Sequence, residues 1–128
     1  MLNDVEYNDK SVDIVTKDDL TWVRGTPQIV SNKITRIHSG LFYYNKFTSM
    51  FCGFIQPVDN AKLSDGEVLL KLPTKNTGYM PYISFQFMNN DSATLRVDNE
   101  GNLVANGNIS LTGSGFMFLN ASYPSEIL

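Results

Sequence analysis

Residues 94–123 read TLRVDNEGNLVANGNISLTGSGFMFLNASY. Apolar residues alternate with polar ones in short bursts: Leu95 and Val97, Leu103 and Ala105, Ile109 and Leu111, Phe116 and Phe118. A period of two places one set of side chains on one face of a sheet. Turn residues separate the bursts. Asp98-Asn99-Glu100-Gly101 ends on a glycine, where a positive φ is wanted. Asn106-Gly107 is a strong two-residue hairpin signal, because both central residues of a type I′ turn need positive φ. Thr112-Gly113-Ser114-Gly115 makes a looser third connection. The stretch predicts four short antiparallel strands in a meander. A Gly-rich surface loop is the competing reading, but structureless loops of roughly 30 residues are uncommon in compact domains.

Upstream, Tyr82–Met88 predicts a strand with Ile83, Phe85 and Phe87 on one face. Glu67–Leu72 predicts another, with Val68, Leu70 and Leu72 inward. Gln56–Gly66 and Pro73–Pro81 read as loops, and Pro124–Leu128 as a surface tail. Leu41–Ile55, LFYYNKFTSMFCGFI, is the aromatic centre of the first half. Phe47, Phe51 and Ile55 share one face, while Phe42, Tyr44, Met50, Cys52 and Phe54 lie on the other. Two apolar faces point to a strand buried on both sides or at a subunit interface. Gln28–Ile37 reads as one or two strands broken near Ser31-Asn32-Lys33, and Leu20–Val23 as a first strand. Residues 1–19 carry six acids against two lysines and read as an arm or linker, with a short strand at Ser11–Thr16. Residues 20–128 form one domain. Nine or ten short strands with turns every 8 to 12 residues predict an all-β fold: an antiparallel β-sandwich or jelly-roll-like barrel.

Composition bounds the function. With 128 residues and 42% hydrophobic side chains, the chain can bury one core. A net charge of −3 opposes a nucleic-acid partner, which wants a basic face. No apolar run reaches the roughly 18 residues of a membrane-spanning helix, so no membrane insertion is expected. The start, MLNDVEYNDK, lacks the basic and apolar parts of a signal peptide, so the chain is expected to be made in the cytoplasm or cut from something longer. One cysteine, Cys52, allows no internal disulfide.

The search for chemistry predicts no catalytic residues, no metal and no cofactor. His38 is the one histidine, and Cys52 lies in an apolar run where a thiol packs rather than reacts. One His and one Cys do not make a zinc site. Asp59, Asp65, Glu67, Asp91, Asp98 and Glu100 are acids in or beside loops, and a pair of them is what a glycosidase would need.

Four segments carry a resemblance: Gly66-Glu67-Val68-Leu69-Leu70-Lys71-Leu72-Pro73, Gly78-Tyr79-Met80-Pro81, Thr94–Val97 with Asn99-Glu100-Gly101-Asn102-Leu103, and Gly115–Pro124. Together they resemble the C-terminal head modules of bacteriophage tail-fibre and baseplate receptor-binding proteins, especially of phages infecting Gram-positive hosts. The likeness spans residues 66–124. The chain departs from the commoner pattern in carrying Phe116-Met117-Phe118 where a Trp is frequent. The resemblance implies a homotrimeric virion component at the tail tip or baseplate, in contact with other tail or baseplate proteins. It implies attachment to a bacterial cell-wall saccharide or teichoic-acid-like polymer, with no catalysis. A structural module that only joins subunits is the alternative, and a saccharide depolymerase a further one. A sugar wants an aromatic face for its C–H side and planar polar groups for its hydroxyls. Trp22, Tyr43, Tyr79 and Tyr82 are the stacking candidates, and Arg24, Arg36, His38, Asn90 and Asp91 the hydrogen-bonding ones.

Overall fold

The computed structural model describes residues 6–7, 10–11, 14–38, 40–79, 82–87, 92–111 and 115–128. Two short strands, β1 (Glu6–Tyr7) and β2 (Lys10–Ser11), pair with each other. A 3-10 turn follows at Asp18–Leu20. Thr16 N donates to Asp19 Oδ2 at 2.9 Å and Asp19 N to Thr16 Oγ1 at 3.3 Å, a reciprocal bond that favours a turn over extended chain. The expected Leu20–Val23 strand therefore starts only at Val23.

The remaining strands are β3 (Val23–Gly25), β4 (Gln28–Ile29), β5 (Ile34–Ile37), β6 (Leu41–Tyr44), β7 (Thr48–Pro57), β8 (Lys62–Leu63), β9 (Val68–Lys71), β10 (Thr74–Asn76), β11 (Tyr82–Phe87), β12 (Ser92–Val97), β13 (Asn102–Ala105), β14 (Ile109–Ser110) and β15 (Met117–Ile127). The expected all-β class is what the chain adopts. One antiparallel sheet runs β3–β6–β7–β15–β11–β12–β13–β9–β4, with β5 added to β7 and β10 to β15. Its two end strands, β3 and β4, are separated in the chain only by Thr26 and buried Pro27. The sheet must curl for one bent segment to serve both ends, which gives the barrel-like shape. At this seam Gly25 lies against Pro73: a Cβ there would stand 2.6 Å from the proline Cγ.

The inside of the curl is the core. Phe42, Phe51, Ile55, Leu70, Leu95, Val97, Leu103 and Met117 are all but fully buried there. Burying each such side chain is worth about 1.5–3 kcal/mol. The long strands β7 and β15 form the spine, paired from Met117↔Ile55 to Pro124↔Thr48. β15 pairs with β11 over its first residues and with β10 over its last. Where β7, β10 and β15 meet, four buried hydroxyls bond to one another. Ser49 Oγ is 2.6 Å from Thr74 Oγ1 and 2.7 Å from Ser125 Oγ, and Thr74 Oγ1 is 2.7 Å from Tyr123 OH. Each finds a partner, which offsets the cost of removing it from water.

Several expectations change. The meander holds only for its first pair, β12 with β13, closed by Asp98 Oδ1 accepting from the backbone N of Glu100 and Asn102 and by Gly101 at φ +81°. Asn106-Gly107 is not a two-residue hairpin. Gly107 has φ +91°, but its N–H donates to Asp65 Oδ1, and the chain turns away so that β14 pairs with β8. Leu41–Ile55 is two strands, because Asn45 Oδ1 accepts from the backbone N of Phe47 and Thr48 and turns the chain. Gln56–Gly66 holds the end of β7 and β8; Pro73–Pro81 holds β10. The Pro124–Leu128 tail continues β15 as far as Ile127, with Ser125 buried. The short N-terminal strand lies at Lys10–Ser11. The second face of β7 is open: Met50, Cys52 and Phe54 are exposed, because no strand among the described residues forms a second layer over the outside of the curl.

Candidate functional site

That uncovered outer face is where the chemistry gathers. Alternation in β7 sends Ser49, Phe51, Gly53 and Ile55 inward and Met50, Cys52 and Phe54 outward. In β15 it sends Met117, Leu119 and Tyr123 inward and Phe118, Asn120 and Ser122 outward. In β11, Ile83 and Phe85 point in, and Tyr82, Ser84 and Gln86 out. Register then lays the outward residues side by side: Phe54 opposite Phe118, Phe118 opposite Gln86, and Asn120 opposite Cys52.

One end of the face is an aromatic corner. Phe54 and Phe118 meet edge to face with centroids 4.8 Å apart. His38 and Phe116 do the same at 4.7 Å. The four rings line a hollow of about 350 Å³. The backbone N of His38 donates to Phe54 O at 2.8 Å, which holds the histidine beside β7. A second hollow of about 500 Å³ shares Phe54 and Phe118 and continues over Cys52, Ser84, Gln86, Ser92 and Asn120. Apolar ring faces thus adjoin amide and hydroxyl groups along one groove. Beyond His38 lies a polar cluster. Arg36 Nε is 2.9 Å from His38 Nε2, and Gln56 Oε1 is 2.7 Å from that same nitrogen.

The sequence-derived candidates scatter. His38 stands at the aromatic corner. Arg24 pairs opposite Tyr43, and Tyr43 opposite Met50, on the same outer face. Met50 lies four residues from Phe54 along β7, about 13 Å away, so this pair sits at the other end of the face. Trp22 is half exposed just before β3, the far edge strand. Tyr79 is fully exposed, next to Gly78, which packs against Pro124. Pro124 is six residues from Phe118, about 20 Å along the strand, so Tyr79 and His38 do not share a small-ligand site. Tyr82 is exposed on β11, opposite Arg96. Asn90 and Asp91 lie outside the described residues. The residues that sequence reasoning missed are Phe116, Phe118, Gln86 and Asn120. The readable signal was Phe54 and Phe118 at the outward parity of their strands, left over once the core face was filled.

Three of the loop acids, Asp65, Glu67 and Asp98, are held by hydrogen bonds or ion pairs. Asp65 takes Gly107 N–H at 2.8 Å and Arg96 Nη1 at 3.4 Å, and the first of these does most to hold its carboxyl below the usual range. Glu67 pairs with Lys33 at 2.8 Å. Asp98 closes the β12–β13 turn. Among the described residues, no three His, Cys, Asp or Glu side chains gather as metal ligands, and no helix is long and apolar enough to cross a membrane.

Comparison with known proteins finds no matching family model, no matching curated protein and no matching solved structure.

Proposed function

We propose that this chain is a bacteriophage host-adhesion module whose outer face binds a bacterial cell-surface saccharide, a cell-wall glycan or teichoic-acid-like polymer. It acts as a homotrimer at the tail tip or baseplate, held there by other tail or baseplate proteins. The observation that carries the reading is the groove over β7, β15 and β11. Phe54 and Phe118 offer apolar ring surface, and Gln86, Asn120 and Ser84 offer planar amides and a hydroxyl beside it. A sugar ring needs both within one residue's span. The resemblance of residues 66–124 to receptor-binding heads and the all-β fold point the same way.

A specific observation favours the structural alternative. Leu41, Met50, Phe54 and Phe118 make the same face apolar as well as exposed, and apolar faces of this kind are covered by partner subunits in obligate assemblies. Light scattering with glycan titration separates the two. A mass of three chains with saturable glycan binding, lost in Phe118→Ala, supports adhesion. A trimer that binds no wall glycan supports the joining role. A monomer overturns the trimeric head.

A further inference from the structure

Away from the outer groove, we infer that Asn106 is a site of spontaneous deamidation, and that the Asp65–Arg96 pair holds its rate down while the chain is folded. Asn106-Gly107 is the one Asn-Gly pair in the sequence. Such a pair cyclises readily, because glycine puts no side chain in the way of the reacting nitrogen; a Cβ on Gly107 would meet nothing within 4 Å. In the reaction the Gly107 backbone nitrogen loses its proton to hydroxide and attacks Asn106 Cγ. The new N–Cγ bond forms, the Cγ–Nδ2 bond breaks, and Nδ2 takes a proton from water and leaves as ammonia. Water then opens the succinimide ring at either carbonyl and leaves aspartate or isoaspartate. Both reacting groups are held in the fold. Gly107 N–H donates to Asp65 Oδ1 at 2.8 Å, so the proton that must leave is engaged by a carboxylate, whose charge also opposes an anion on that nitrogen. Arg96 Nη1 donates to Asn106 Oδ1 at 3.0 Å and to Ala105 O at 3.3 Å, and stands 3.4 Å from Asp65 Oδ1. The flanking chain is tied as well: Asn106 N donates to Thr94 O at 3.1 Å, and Asp65 N to Asn108 Oδ1 at 3.0 Å. Isoaspartate would lengthen the main chain by one carbon between β13 and β14, just before Ile109 pairs with Leu63. The modification therefore loosens the β8–β14 pair.

The test incubates the full chain and a synthetic peptide of residues 103–110 in the same mildly alkaline buffer and follows Asn106 by peptide mass mapping. The folded chain is expected to deamidate there about ten-fold more slowly than the peptide, the effect of one hydrogen bond to a charged group. Asp65→Ala is expected to recover most of that factor. Asp65 is exposed, so the variant keeps the fold, and an unchanged thermal midpoint verifies this. An Asp65→Ala rate equal to wild type at that unchanged midpoint overturns the inference. So does a wild-type chain that deamidates as fast as the peptide. If the midpoint falls, amide hydrogen exchange at Gly107 in the wild-type chain decides instead. Exchange slowed relative to the peptide by the same factor as deamidation supports the lock, and exchange at the peptide's rate overturns it.

Discussion

Phe54 and Phe118 stand opposite each other in the β7–β15 ladder, edge to face at 4.8 Å, with 41% and 37% of their surfaces still open. Such a pair contributes about 0.5–1.5 kcal/mol of stability. Its open surface is what a ligand covers. Phe118→Ala is expected to cost about 1 kcal/mol in denaturant unfolding. In glycan affinity it is expected to cost more, about 2 kcal/mol or thirty-fold by calorimetry, as for a central contact residue. A stability loss with unchanged affinity places the ligand elsewhere.

Cys52 supplies a probe that needs no mutation. It is the only cysteine, exposed, and it lines the groove between Phe54 and Asn120. Alkylation with a bulky maleimide is expected to block glycan binding. Cys52→Ser is expected to bind as wild type and to ignore the reagent. Full binding by the labelled wild-type chain rules out the groove as the ligand's seat.

Gly101 and Gly107 both have positive φ, at +81° and +91°, yet they are not equivalent. A Cβ on Gly101 would stand 2.7 Å from Leu128 Cδ1 and 3.0 Å from Thr74 O; one on Gly107 meets nothing within 4 Å. Gly107→Ala carries backbone strain alone, about 1–2 kcal/mol. Gly101→Ala adds a clash with backbone and is expected to lose at least about 1 kcal/mol more. Urea unfolding of the two variants side by side decides it, and equal losses contradict the close approach of Gly101 to the C-terminal residues.

Tyr123 links the stability of the fold to alkaline pH. Burial raises its phenol pKa above the ordinary 10.0, while bonds to Thr74 and Ser49 pull the other way. A pKa raised by folding means the native state prefers the neutral phenol. That contribution is complete below pH 10.0 and fades as pH rises through the folded value. Stability is expected to fall above about pH 10, and Tyr123→Phe to flatten that fall while costing about 1 kcal/mol at neutral pH. A Tyr123→Phe curve parallel to wild type removes Tyr123 from the alkaline transition.

Asp19 and Asp65 contribute at the acid end. Backbone N–H donors, from Thr16 and Gly107 respectively, are the main cause of their lowered pKa values. Their contribution is present above 3.8 and lost as pH falls below it. The Asp65 carboxyl is solvent-exposed, so Asp65→Asn is expected to shift the acid midpoint only slightly, and less at high salt.

The chain by itself determined the class of fold and the face of most residues. The two-residue period marked Ile83, Phe85, Leu95, Val97 and Leu103 as inward, and all five are buried. Gly101 announced its own turn, since few other residues accept its φ. Alternation is a local property, however. It states which side a residue points to, and neither which strand lies beside it nor whether anything covers that side. Only the tertiary structure decided that Ile109–Ser110 pairs with Lys62–Leu63, and that Thr26–Pro27 joins the two ends of one curled sheet. The same holds for the candidate site. His38 was legible as a polar side chain able to hydrogen-bond a ligand. Phe54, Phe116 and Phe118 looked like core, because an apolar side chain carries no mark of its exposure. Long-range pairing, which depends on how the whole sheet closes, set them next to His38 and left them open to solvent.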